Sequence, residues 1–422
     1  MFKLKYLSLL YDKTLRNGVL FSIFSFLNRG VSFLLLIILA DYIEPKQYGE
    51  LSLFNTVLMF FGYFVGLSTG GYLSVSFFKK SKECFKEDFS AICIITIVVS
   101  ISSGIVLALM KDFISPFLKI PSPFLIFGAA IAMFDIFYQL NLDYFRIQEK
   151  ILKYGLLSCF FGLLNMILTL YLVIVVDLNW AGFVYAQLIC DASLGIFALF
   201  YFYKRRLFQL PSNLSVYKNI IFWGLPIIPH LATGWIKTGM DRYIIEGTHS
   251  MADVGYFSFA FNMMSVITMV GTAFNKTNSV NIYQTLSSNQ SSDDKLRSLL
   301  KKEKCFSLMY FILVFCIDTV GSLFVWAFLP NYSASIPYFL ILSIYGLFVC
   351  LYYVICNYLF YFNRTKKLMY VTFGFSLLHL LCSLVLTKYG LYYTCTLYVV
   401  FQCLICYFVF RDSRMCIKKF AN

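Results

Sequence analysis

A chain of 422 residues that is 60% hydrophobic, 19% aromatic and only 13% charged, with a mean hydropathy of +0.75, cannot hide its apolar surface in a water-soluble core. Ordinary globular domains are about half apolar and about a quarter charged. The chain therefore reads as an all-α polytopic membrane protein. Its net charge of +14 is spread along the sequence, whereas a nucleic-acid footprint needs basic residues gathered on one folded face, so nucleic acid is excluded as a partner.

Runs long enough to cross a bilayer, roughly 17 to 25 apolar residues each, recur along the whole length and predict twelve spans. They cover 17–40, 48–76, 89–110, 123–143, 154–176 and 181–203, then 218–240, 252–275, 304–329, 336–360, 367–387 and 391–410. No window remains for a soluble domain. The N-terminal "MFKLKYLSLLYDKTLRNG" has a basic start but no short apolar region with a small-residue cleavage site, so it reads as a retained anchor. The 13 cysteines fall in spans or inner segments and imply no disulfide framework. Cys403 and Cys406 form a CxxC inside span 12 and read as two small apolar residues.

Cytoplasmic loops keep an excess of Lys and Arg. With the N-terminus inside, 28 of the 35 such residues fall in inner segments and 5 in outer loops, and Arg29 and Lys237 lie within spans. Both termini are thus expected to be cytoplasmic.

Weak internal symmetry divides the spans in half. "YGELSLF" opening span 2 matches "VGYFSFA" opening span 8, with Gly49 and Gly255 in register at an offset of 206. The Tyr-Phe pairs after spans 4 and 10 are offset by 217, and "GFVYAQ" and "GLYYTC", opening spans 6 and 12, by 208. Two six-helix bundles, 1–203 and 220–422, joined by an inner linker at 204–219, follow as parallel repeats, because an even number of spans brings both into the membrane from the same side.

An α-helix returns to one face at i+3, i+4 and i+7, so spacing shows which polar residues share a wall. In span 1 Ser25 and Arg29 share a stripe with Asn28 at its edge; in span 7 His230, Lys237 and Asp241 do so; in span 8 Asn262 is in register with Ser258 and Ser265. Such stripes face a water-filled cavity or another helix, and the serines and glycines among them serve equally as packing residues. Arg29, near mid-span, is read as a functional cation. Lys237 lies one turn from the outer end and could snorkel, and Asp241 and Arg242 stand at the boundary, where Asp241 is placed to pair with Lys237. Pro226 and Pro229 predict a kink and hinge in the inner half of span 7. Asp135, Asp191 and Asp318 lie within spans 4, 6 and 9, either paired with buried cations or carrying a coupling ion.

These residues carry a resemblance. "IEPKQYGELSLFNTV", "FWGLPIIPHLATGWIKTGMDRYII", "ADVGYFSFAFNMMS" and "LPNYSASIPYFLILS", in this order and spacing, resemble the Wzx-type polysaccharide flippases of the MOP exporter superfamily, which also contains MATE transporters and the lipid II flippase MurJ. The chain departs from the pattern after span 8, where "NKTNSVN" lacks a proline, and before span 12, where "GLYYT" replaces a small pair. The resemblance implies two bundles across a central cavity and alternating access that moves an undecaprenyl-pyrophosphate-linked oligosaccharide from the inner to the outer leaflet of the bacterial plasma membrane. It also implies polymerase and chain-length proteins of the same pathway as partners. Arg29, Lys237 and Arg242 match its cationic lumen by position, with Asn28, Ser25, His230 and Asn262 as polar lining. No cofactor or metal is implied beyond coupling to H+ or Na+ through acids such as Asp241, Asp135 or Asp318. The alternative is a MATE-like cation or drug antiporter. A glycan polymerase or ligase fits less well, because the longest outer loop, "KDFISPFLKIPS", is too short to hold catalytic groups.

Overall fold

The computed structural model describes residues 13–67, 69–225, 228, 234–236, 238–288, 291–362 and 364–421. Among them every regular element is helical. In chain order the helices are α1 (Lys13–Tyr42), α2 (Pro45–Gly66), α3 (Thr69–Lys79), α4 (Lys82–Leu109), α5 (Lys111–Leu118), α6 (Ser122–Ile147), α7 (Ile151–Leu170) and α8 (Asn179–Lys204). Then come α9 (Ser215–Gly224), α10 (Met240–Thr248), α11 (Met251–Ser287), α12 (Ser292–Phe328), α13 (Ile336–Tyr361), α14 (Thr365–Leu386) and α15 (Leu391–Ala421). Eleven helices among the described residues are long and apolar enough to cross a membrane, matching eleven of the twelve predicted spans. The remaining one, span 7, begins in α9, and α10 follows from its outer end at Met240. Pro226, Pro229, His230 and Lys237, in the stretch between them, lie outside the described residues.

The local sequence explains where several helices begin. Ser81 caps α4 by accepting from the Cys84 amide at 3.3 Å. Ser250 and Ser291 cap α11 and α12, each accepting an amide N–H and donating to Asp253 or Asp294 at 2.6 Å, so that a carboxylate sits in each first turn where the helix dipole favours it. Prolines stand in the first turns of α6 and α13, where the missing N–H would have had no partner.

The chain packs as two compact units, Met1–Ile43 with Glu50–Trp235, and Glu44–Gly49 with Ile236–Asn422. The first has an aromatic core in which Phe85, Phe89, Phe137, Tyr144 and Phe202 meet Ile220 of α9. The Gln209 amide donates to Ser90 Oγ at 2.7 Å, and the Trp235 indole donates to the Thr56 carbonyl at 2.9 Å. Gln209, after α8, and Trp235 therefore belong to this unit by packing. In the second unit α13 is the central helix, and Cys350, Val354 and Leu359 of it meet Ile267, Tyr310, Ile405 and Val409 from α11, α12 and α15. At the basic ends of the spans, Ile282, Leu286, Leu299, Tyr358 and Ile417 close a smaller cluster.

Candidate functional site

Charges that the sequence places together at the end of span 7 become the centre of a polar cluster inside the second unit. Asp241, in the first turn of α10, has no exposed surface. It accepts from His379 Nε2 at 2.8 Å and from Ser383 Oγ at 2.5 Å, both on α14, and the Tyr398 hydroxyl of α15 bonds it as well. Ser383 continues through Thr387 at 3.1 Å to Thr394 at 2.9 Å. A buried carboxylate needs such partners, since desolvation without them is steeply unfavourable.

Arg242 points the other way from the same turn. Its guanidinium donates to Ser258 Oγ at 3.1 Å and to the Thr238 carbonyl, and it lies over the Phe261 ring at 5.6 Å. Asp241, Tyr48, Tyr243 and Tyr398 stand within its electrostatic reach. Asn262 donates to Tyr48 Oη at 2.8 Å. Asn262, Ser258 and Arg242 thus form one wall: a half-buried planar cation framed by aromatic faces and hydroxyls, a setting suited to bidentate contact with phosphate or carboxylate.

The other expected residues are distributed differently. Arg29 is exposed on α1. Its neighbours Ser25 and Asn28 face α7: Ser25 hydrogen-bonds Tyr154, and Asn28 lies against Gly162, where an added Cβ would come within 2.5 Å of Oδ1. Asp318 accepts from Ser343 Oγ at 2.9 Å within the second unit. Asp135 accepts from Gln139 at 3.1 Å in the first unit and interacts electrostatically with Asp191. Asp191 is fully buried, with Gln187 as its side-chain hydrogen-bonding neighbour. Among the described residues no group of three or more His, Cys, Asp or Glu could hold a metal ion.

His379, Ser383, Thr387 and Thr394 are absent from the sequence reading. His379 and Ser383, at i and i+4 on α14, with Thr387 just past its end at i+8, carry a helical stripe, but the partner that gives it meaning, Asp241, is 138 residues away from His379.

Comparison with known proteins fits this geometry. Across 95% of both chains the structure matches an inward-facing MATE-family multidrug resistance transporter of the MOP superfamily, with a TM-score of 0.72 at 13% identity. It also matches a MOP superfamily transporter from Pyrococcus furiosus over 96% of both chains, with a TM-score of 0.57 at 13% identity; the binding pocket of that protein is described as having reverse polarity. The protein therefore has the fold of the MOP transporters and is a multi-pass membrane protein. Residues 38–329 match the polysaccharide biosynthesis protein family, and the chain belongs to it. A protein of the Lsg locus of Haemophilus influenzae is 22% identical over 364 residues, 84% of this chain and 86% of that one. An uncharacterized membrane protein of the same organism is 22% identical over 351 residues, 80% of this chain and 81% of that one. The fold is thus one seen in MOP transporters, and the family is one of polysaccharide biosynthesis.

Proposed function

We propose that the protein is a flippase for an undecaprenyl-pyrophosphate-linked oligosaccharide repeat unit, carrying it between the leaflets of a bacterial plasma membrane by alternating access of its two repeats, 1–203 and 220–422, with both termini cytoplasmic. The observation that carries this reading is Arg242, a cation held among Tyr48, Ser258, Asn262 and Phe261 inside the second unit of a protein from a polysaccharide biosynthesis family. A pyrophosphate drawn into a membrane faces the large desolvation penalty of buried charge, and a fixed guanidinium offsets part of it. Arg29 and Lys237 are the further lumen cations of the proposal. Asp135, Asp241 and Asp318 would serve a coupling H+ or Na+, and polymerase and chain-length proteins of the same pathway would receive the product.

Deleting the gene should leave a lipid-linked glycan accumulating on the inner leaflet. Arg242→Gln and Arg29→Ala should each abolish surface glycan while the protein reaches the membrane at normal level. Wild-type glycan in both variants sinks the cationic-lumen reading.

A second reading, a cation antiporter, is favoured by one observation, the neighbouring carboxylates Asp135 and Asp191 in the first unit. It predicts that deletion sensitises cells to cationic drugs and leaves the glycan unchanged.

A further inference from the structure

The stretch "KDFISPFLKIPS" between α4 and α6, a loop by sequence, is mostly helix in the structure, where it forms α5. The apolar run before it starts near Phe89 and ends at Met110, roughly 22 residues or about 33 Å of helix, close to the thickness of a bilayer's hydrocarbon core. At Met110 the backbone (φ −102°, ψ 13°) leaves helical geometry, and α4 gives way to α5. The lysine- and arginine-bearing segments 79–86 and 146–153 stand at the opposite ends of α4 and α6. The short helix therefore sits where the hydrocarbon ends.

Its residues divide among three faces. Ile114 and Leu118, at i and i+4, are half-buried against the protein, and Ser115 Oγ ties the helix down by donating to the carbonyl of buried Ile120 at 2.6 Å. Asp112 and Ser115, with Lys119 just past the end at φ 55°, make a polar face. Phe113 and Phe117 make the third and are 72% and 75% exposed. The same stripe runs back in steps of three and four through Leu109, Ile105, Ile101 and Val98, the exposed apolar side of α4. An apolar face continuous with that of a membrane span is covered by what covers the span. Pro116 supplies no N–H to the Asp112 carbonyl, a loss that hydrocarbon punishes and a hydrated boundary does not.

We propose that α5 is an interfacial helix whose partner is the lipid surface itself. Phe113 and Phe117 lie among the acyl chains just below the headgroups, and Asp112 and Lys119 stay in water. Amphipathic helices bury an apolar face about 5–10 Å deep in this way. Seated so, α5 fixes the ends of α4 and α6 at one depth in the bilayer. The inference rests only on the chain spanning a membrane and stands whether or not the flippase reading does.

The test uses the full-length protein in liposomes of phosphatidylethanolamine and phosphatidylglycerol, with Phe113, Phe117 or Asp112 replaced in turn by the photoreactive p-benzoylphenylalanine. After illumination, intact-mass measurement should find one phospholipid added at positions 113 and 117 and none at 112. A second measurement reads the seating directly: Phe113→Asp combined with Phe117→Asp should lift the helix, so that trypsin added to the liposomes cuts after Lys111 or Lys119 several-fold faster than in wild type. No lipid adduct at 113 and 117, equal lipid adducts at all three positions, an adduct joining two copies of the chain, or an unchanged cleavage rate in the double variant overturns the proposal.

Discussion

The residue that organises the second unit is Asp241, and its environment sets what substitutions do. His379, Ser383 and Tyr398 all bond this fully buried carboxylate, and hydrogen bonds to a charged group are typically worth about 1.5–3 kcal/mol each. His379→Ala removes one donor and leaves the charge buried, so the unfolding temperature of the purified protein should fall clearly. Ser383→Ala should cost less, because the histidine and tyrosine remain. Asp241→Asn combined with His379→Ala should recover part of the loss, since a buried carboxylate that has lost its partner costs far more than a buried amide. A double variant less stable than His379→Ala alone would mean that the carboxylate is not the source of the strain.

At the scale of elements, two contacts decide how helices meet. Gly49 and Gly255, partners in the internal repeat, face each other where the start of α2 crosses α11. A Cβ on Gly255 would lie 1.8 Å from the Pro45 carbonyl oxygen, and one on Gly49 would lie 2.2 Å from that of Met251. Both obstacles are backbone, so neither can swing aside. Gly255→Ala should destabilise by more than the roughly 1–3 kcal/mol of an ordinary overpacked core, and so lower both the membrane level and the unfolding temperature, whereas Gly104→Ala, with open space around it, should be silent.

The second contact ties α3 to α4 outside the spans. Lys80 Nζ meets Asp88 Oδ2 at 2.7 Å and Tyr72 Oη at 3.1 Å, and Ser76 donates to the same carboxylate at 2.5 Å. Burial opposes the Lys80 charge, but the bonds to Asp88 and Tyr72 outweigh it and hold its pKa above the ordinary lysine value. A raised pKa means stability that is fully present below about pH 10.5 and is lost as pH climbs through the folded-state value. Lys80→Met should therefore be destabilising at pH 7, and its difference from wild type should shrink in alkaline buffer. A difference that is flat with pH would rule out the ammonium as its cause.

Such elements show what was legible in the sequence. The glycines could be read as a repeat, since periodicity is local. Their contact could not, since a touching pair two hundred residues apart leaves no local trace. Asp241, Arg242 and Asn262 stood out because polar residues in apolar spans demand explanation. His379 did not, although the same logic applied to span 11 would have found it. Ser25 and Asn28 looked like neighbours of Arg29 on a lumen wall, and the structure turns both toward α7, because small glycines there let the helices approach closely enough to use them as packing residues.

For the whole molecule, the repeat and the packing divide the chain at different places. By repeat the second half starts near residue 220, yet Ile220 of α9 is fully buried in the first unit's core, with Trp223 packed beside it. Trp223 also lies edge-on to Tyr72 at 5.7 Å, and Gly224 sits so close to Leu67 that a Cβ would come within 2.2 Å of its carbonyl oxygen. A chain cut at Pro211, in the inner segment, should therefore give two coexpressed fragments, 1–210 and 211–422, that purify together, because the second carries α9 as a plug for the first. Replacing both anchors, Ile220→Asp with Trp223→Ala, should reduce the yield of the complex severely, since the substitution puts a carboxylate into an aromatic core. The same pair of changes in the uncut chain should be milder, because the covalent link keeps the local concentration of α9 high. Full co-purification of the doubly substituted fragments would show that α9 does not join the halves, and the division by packing would have to be abandoned in favour of the division by repeat.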